Sequence, residues 1–399
     1  MSSLTSSSAR RALLGAAALT TALVTTGATA LMATGASATA HQPAAKTSFK
    51  SKPAPPKSTT PTTNETPPKG NVTIYEEGSS LMYPLFQEWA PAYHSHYSNV
   101  TIDPAAGGSG KGITDAAGGV VNIGASDAYL SSSQVSEYPG LKNIALAVSS
   151  QMVNYNVPGI SGSVHLKLTG QVVSEIYQGK ITMWNDNAIA SLNPGMTLPA
   201  DKIIAVHRED SSGDTFIFSS YLSAADPKGW GSSIGYGTNI AFPGISNAAS
   251  ATGNGGMVST CQATPGCIAY IGISYQSKTQ GAGLGEAELA NASGRYELPT
   301  PQTVEAEAMA LESKTPANEA LSLIYDSAPN GYPIINYEYA IIPPKENGNN
   351  QAAAVKAFLY WAVDPAKGSS SSFLSAVNFQ PLPATVVALT DAQIAEIQG

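Results

Sequence analysis

From Asn71 onward the chain alternates short β-branched runs with helical ones, and this alternation restricts it to a sheet flanked by helices. Val72-Thr-Ile-Tyr75 predicts a strand, and Leu81, Leu85, Trp89 and Tyr93, spaced by four, predict a helix with one apolar stripe. Val100-Thr-Ile102 predicts the next strand, Ser109 to Ala117 a small helix, and Val120 to Gly124 a third strand. Further along, an apolar run begins over Gln151 to Val157, and Ile203 to His207 predicts a strand entering a turn at Arg208. Asp214 to Leu222 has helical spacing, Ile268 to Ile273 that of a buried strand, Tyr332 to Ile342 a strand, and Ala352 to Val363 a helix. Strands separated by helices are the mark of βαβ units, so the expected fold class is α/β. No internal repeat is evident.

The 399 residues suffice for two domains, and 43% hydrophobic content allows a large core. Residues 1–70 carry seven basic side chains against Glu65 alone, a surplus of six; with a net charge of −8 overall, the remainder carries −14. A body that acidic disfavours nucleic acid as a partner. Arg10-Arg11 precede an uncharged run from Ala12 to Ala40 that ends in Ala36-Ser37-Ala38 and Ala38-Thr39-Ala40. That order predicts a secretory signal over residues 1–40. The paired arginines leave the twin-arginine route open beside the general one, and an uncleaved anchor over Leu13 to Ala33 competes with cleavage. Its threonines and glycines make it a poor span. Residues 41–70, rich in Pro, Lys and Thr with no apolar period, are expected to be a linker. In an exported chain Cys261 and Cys267 are expected to form a disulfide rather than free thiols, with Thr264-Pro265-Gly266 as the turn; two cysteines lack the partners for a metal.

The segment Gly107-Gly-Ser-Gly-Lys-Gly112 imitates a nucleotide-binding loop but fails as one, since Gly112 follows Lys111 where Ser or Thr must ligate magnesium, and Ala105 replaces the first glycine. What remains is a Gly/Ser turn opening a helix. Two other places repeat that design, Gly78-Ser79-Ser80-Leu81 and Ser211-Ser212-Gly213-Asp214-Thr215. Each alone is an ordinary helix cap. Three in one chain, with Arg208 close before the third, point to convergence on one anion, because helix N-termini offer unpaired N–H groups and favour negative charge. Arg208 would clamp the anion and Asp210 would hold its guanidinium. Asp127 in Gly124-Ala-Ser-Asp127 makes sense beside an anion only if the anion carries a proton. Monohydrogen phosphate does, and sulfate at neutral pH does not, so a carboxylate there accepts from the first and repels the second.

With Gly78-Ser-Ser-Leu81, GGSGKGI, VVNIGASDAYLS, LTGQVVSEIYQGKITMWNDNAIASLNPG, HREDSSGDTFIF, GNGGM, TPGCIAYIGISY, YPIINYEYAI and FQPLPATVV, the chain resembles the exported phosphate-binding protein of the high-affinity phosphate ABC importer over Asn71 to Leu389. It is most similar to the actinobacterial branch, where the paired cysteines also occur. The resemblance implies a two-lobed periplasmic-binding-protein clamshell (type II-like), its lobes joined by a hinge: lobe I is residues 71–155 plus 331–399, lobe II residues 156–330. It implies phosphate ligands at Ser80, the Leu81 N–H, Ser109, Asp127, Arg208, Ser212, Gly213 and Asp214, with Asp210 in support. Leu81 and Asp214 stand where many members have an aromatic residue and a threonine. The implied partners are inorganic phosphate and membrane permease subunits with their ATPase, for a monomer with no cofactor. Gram-positive relatives usually carry a lipidated cysteine after the signal; Leu31-Met-Ala-Thr-Gly-Ala36 has none, which leaves periplasm or cell envelope, or secretion, as the expected location.

Two rival readings compete with this one. A phosphate-ester or serine hydrolase lacks support, since G-x-S-x-G fails at Lys111 and His41, His94, His96, His165 and His207 form no metal-ligand set. A cell-surface adhesin or antigen on the same fold is the other.

Overall fold

The computed structural model describes residues 66–243, 248–326 and 328–399. The expected signal segment and all but the end of the linker lie outside the described residues.

Among the described residues, eight strands run through the main sheet: β1 (Val72–Gly78), β2 (Val100–Ala106), β3 (Ile123–Ser126), β4 (Lys142–Asn156), β5 (Ile204–Arg208), β6 (Ala249–Ala251), β7 (Cys267–Gly272) and β8 (Ile335–Ile342). Their spatial order is β2-β1-β3-β8-β4-β7-β5-β6, with the two-residue strand Gly285–Glu286 added against β4. Pairs β1–β2, β1–β3, β5–β6 and β5–β7 are parallel, whereas β8 is antiparallel to β3 and β4.

β4 organises the molecule. Its residues up to Ser150 pair with β8, and from Gln151 onward they pair with β7. One strand therefore belongs to two groups, β2-β1-β3-β8 before the change and β7-β5-β6 after it. Every residue of β4 between its ends is buried, which is why the run AlaLeuAlaValSerSerGlnMetVal lacks polar alternation. Gln151, at the change of partner, donates its N–H to the Ile334 carbonyl (3.0 Å), so the two chain crossings lie side by side.

The helices cover the sheet. The helix α1 (Tyr83–His96) buries Leu85, Phe86, Trp89 and Tyr93 completely, as the four-residue stripe requires. Phe86, Trp89 and Tyr93 pack on Phe358, with ring centroids 5.2–6.1 Å apart, and Trp89 Nε1 donates to the Gly368 carbonyl at 2.8 Å. The helices α2 (Ser109–Ala117), α3 (Gly213–Ala225) and α4 (Gly253–Ala263) follow β2, β5 and β6. The third strand starts later than the sequence pattern indicates: Gly119 (φ +65°) turns the chain after α2, Val120 is 67% exposed, and pairing begins at Ile123. Cys261 and Cys267 form a disulfide between the end of α4 and the start of β7. Gly266 (φ +83°) makes that turn, a conformation costly for any residue with a Cβ.

Candidate anion-binding site

The turns leaving β1, β2, β3 and β5 meet at the carboxyl ends of their strands, where open α/β sheets place ligands. Gly213 shows how tightly they meet. A Cβ added there would lie 2.3 Å from Asp127 Oδ2 and 2.4 Å from Ser109 Oγ. Only a bare backbone fits, so the start of α3 is pressed against both the β3 turn and the start of α2. Gly110 donates its N–H to the Ser211 carbonyl at 2.9 Å, fastening α2 to the β5 turn. Across from them, Ser80 Oγ accepts from the Asn254 N–H and Nδ2, each at 3.1 Å.

Each turn divides its hydroxyls between architecture and the space they enclose. At the β1 turn Ser79, not Ser80, caps the chain: its Oγ accepts from the N–H groups of Leu81 (3.0 Å) and Met82 (3.1 Å) and donates to Asp127 Oδ1. The Leu81 N–H is thus engaged by Ser79 in this structure, and α1 begins at Tyr83. Ser80 accepts only, so its hydrogen is free to donate. Ser109 Oγ donates to Asp127 Oδ2 (3.2 Å) and accepts from the Asp127 N–H (3.1 Å). Ser212 caps α3 by accepting from the Thr215 N–H (3.3 Å), which leaves its hydrogen and the first-turn N–H groups of Gly213 and Asp214 without intrahelical partners.

Arg208 is buried, with its side chain only 1% exposed. Its Nε donates to Asp210 Oδ1 (2.6 Å), Nη2 to Asp210 Oδ2, and Nη1 to Asp214 Oδ2 (2.6 Å). Three of five N–H groups are spent on holding the guanidinium, and two remain. Asp214, expected among the ligands, has both oxygens occupied: Oδ2 by Arg208 and Asn254 Nδ2 (2.8 Å), Oδ1 by Gln151 Nε2 (3.1 Å). The Arg208 N–H is anchored to the Tyr270 hydroxyl (2.9 Å), which also meets Thr215 Oγ1 (2.8 Å). Lys111, the lysine of the Gly-rich loop, points away: it pairs with Glu77 (2.7 Å) and Asp115 and is half exposed. His207 stacks on Phe242 (centroids 4.6 Å apart) and contacts no residue of the cluster other than its neighbour Arg208.

The electrostatics follow from burial. Burial pushes the Asp127 carboxyl up to about 7, and the Asp214 charge adds to that, against hydrogen bonds from Glu338 and Ser79 and the charge of Arg208. Burial also raises Asp214, opposed by Arg208, Gln151 and Asn254. At Asp210 burial is outweighed by the bonds and charge of Arg208, which hold its carboxyl below the ordinary value. Glu338, in the middle of β8, is also raised, first by burial and then by Asp127.

The chain matches the family model of the PBP superfamily domain over residues 25–366. The phosphate-binding protein PstS of Methanocaldococcus jannaschii is 32% identical over 321 residues, 76% of this chain and 81% of that one. The chain belongs to the PstS family. The PstS of Xylella fastidiosa is 30% identical over 331 residues, covering 82% of this chain and 87% of its own. Among solved structures, a high affinity periplasmic phosphate-binding protein bound with phosphate superposes with a TM-score of 0.64 at 19% identity, covering 80% of this chain and 93% of that one; this likeness speaks to the fold, a two-lobed periplasmic-binding-protein clamshell.

Within this PstS-family site, sequence reasoning passed over Ser79, Gln151, Asn254 and Glu338. Asn254 sits in the motif Gly253-Asn-Gly-Gly-Met257, and Glu338 interrupts the buried strand Ile335–Ile342 between Tyr337 and Tyr339. A lone carboxyl inside a strand buried along its whole length was the available signal, since charge is buried only with a partner.

Proposed function

We propose that this chain binds inorganic phosphate outside the cytoplasmic membrane and delivers it, as a monomer, to the permease of an ABC importer. The observation that carries this reading is Gly213 seated against Asp127 and Ser109, which gathers three turns and one carboxylate around a single point, with the Arg208 guanidinium held at the same helix start by Asp214. The donors left for a ligand are the hydroxyl hydrogens of Ser80 and Ser212, first-turn N–H groups of α2 and α3, and two N–H groups of Arg208. Asp127 is the one acceptor that matches a P–OH group. Donors on several sides with one acceptor describe a protonated oxyanion. Asp214 acts on the ligand through Arg208, by fixing the guanidinium. Chemistry on the ligand has no place in this reading: the site binds and releases.

The lobes of the clamshell are the two strand groups. They hinge where β4 changes partner at Ser150–Gln151 and where β8 begins after Ile334, a few residues before Tyr155 and after Gly331 respectively. Closure over the anion would bring Ser80 to Asn254 and Gly110 to Ser211, and the closed form is what the permease recognises.

Calorimetric titration of protein freed of bound anion tests the reading, with phosphate, arsenate, sulfate and ATP as ligands. Phosphate should bind one-to-one and raise the melting temperature, as a ligand specific to the folded state must. Arsenate, which also carries a proton, should behave likewise, and ATP and sulfate should do neither. No stabilisation by millimolar phosphate would overturn the reading.

A further inference from the structure

Glu338 lies fully buried in β8, its Oε2 has no hydrogen-bond partner among the described residues, and after burial it is the Asp127 charge that most raises its carboxyl. Ser149 donates to its Oε1, and Asn336 Nδ2 lies 3.3 Å from the same oxygen. Asn336 also donates to the Asp127 carbonyl at 2.9 Å, which locks the β3 turn to β8 at this level. The β4–β8 register slips between Glu338 and Tyr339, the kind of bulge that re-aims a side chain beside a site. Two buried carboxyl groups braced by the same Asn336 amide, one of them with an oxygen that no donor reaches, disfavour joint ionisation, so the pair holds at least one proton.

The surroundings decide which oxygen keeps it. Asp127 accepts from Ser79 and Ser109 and feels the Arg208 charge from β5. Glu338 receives neutral donors from Ser149 and Asn336, and the other charged group bearing on it is Asp214 from α3, also negative. Negative charge is better served on Asp127, and the proton belongs to Glu338.

We propose that Glu338 is a positioning residue for anion selectivity: its protonated carboxyl donates to Asp127 and keeps Asp127 an ionised acceptor. This deepens the phosphate reading above and rests on it. With the Glu338 donor in place, Asp127 welcomes an oxyanion that has a proton to give and repels one that has none. When Asp127 itself takes up a proton it becomes a donor, and discrimination against sulfate is lost. The switch is expected near pH 7, where the Asp127 carboxyl is placed by its burial and neighbours.

The test is the ratio of sulfate to phosphate Kd between pH 5 and pH 9 for wild type, Glu338→Leu and Glu338→Gln. Using ratios between proteins at each pH cancels the ligands' own titration. Wild type should switch from permissive to selective as pH rises through about 7. Glu338→Leu removes the donor, so Asp127 holds its proton longer and the switch should move up by about one pH unit or more, a tenfold change in ratio at fixed pH. Glu338→Gln keeps a donor and should restore the switch to within about half a unit of wild type. A purely space-filling role would change affinities without moving the switch, so an unmoved switch in Glu338→Leu overturns the proposal. If the leucine variant does not fold, Glu338→Gln decides alone: were Glu338 ionised, the amide would remove a negative charge beside Asp127 and drop the switch by about a unit or more, which overturns the proposal. If wild type binds neither anion, the phosphate reading fails; carbon-13 NMR titration of the Asp127 carboxyl in ligand-free wild type and Glu338→Gln then decides the Glu338 assignment by the same criterion.

Discussion

Replacing Arg208 with alanine should injure the molecule twice, and the structure separates the two injuries. Asp214 is buried to 1% exposure and pairs with Arg208 at 2.6 Å, so the substitution leaves a buried carboxylate without its cation. Breaking a buried pair from one side costs about 3–5 kcal/mol, because the desolvation already incurred is no longer compensated. The neutral bonds from Gln151 and Asn254 soften this toward the lower figure. The second injury is to binding. Two N–H groups of Arg208 remain for the anion, and charge-assisted bonds contribute about 1.5–3 kcal/mol each, which gives a loss of roughly 3–6 kcal/mol, or about 10²–10⁴ in affinity. Urea unfolding without phosphate measures the first, and calorimetric titration the second. The double variant Arg208→Ala with Asp214→Asn removes the stranded charge, so it should recover most of the lost stability while phosphate affinity stays low. Wild-type stability in the single variant would refute the buried-pair argument. Recovery of affinity in the double variant would show that Arg208 does not touch the anion.

Asp127→Asn should weaken phosphate binding and admit sulfate, measured by competition titration, since a neutral amide no longer repels a proton-free anion; unchanged selectivity would place the filter elsewhere. Gly213→Ala should abolish phosphate binding by at least tenfold, because its methyl would sit 2.3 Å from Asp127 Oδ2 and push α3 off the other two turns; retained affinity would refute the close seating of the three. Stability should carry a pH signature from Glu319, whose carboxyl is pushed up to about 7 by burial, against bonds from Thr390 (2.5 Å) and the Ala145 N–H (3.1 Å). The folded state then binds more protons than the unfolded chain between about pH 4.5 and 7, so this contribution is full below 4.5 and is lost as pH rises through 7. Glu319→Gln should flatten that fall in chemical-denaturation curves, and a slope identical to wild type would remove Glu319 from the account.

The alternation of strand and helix, the apolar stripe of α1 and the three Gly/Ser helix starts were legible in the sequence, because periodicity and capping act within a few residues. So were Arg208, Asp210 and Asp127 as the charged members of one cluster. Their roles were less legible. The family resemblance offered Ser80 and the Leu81 N–H together as ligands from one turn; the fold has Ser79 take the Leu81 N–H and sends Ser80 across to Asn254. The sequence left open whether Asp214 faces the anion or turns away, and only packing shows Arg208, Asn254 and Gln151 closing over it. Glu338 could be read as an odd carboxyl in an apolar strand, but nothing near it in the chain hints at Asp127. Asn336, two residues before it, reaches the Asp127 carbonyl across 209 positions, and the register against β4 slips just after Glu338. Charge pairing of this kind depends on which strands lie side by side and in what register. Local sequence sets the strands; the closed sheet sets their neighbours, and with them which carboxyl keeps its proton.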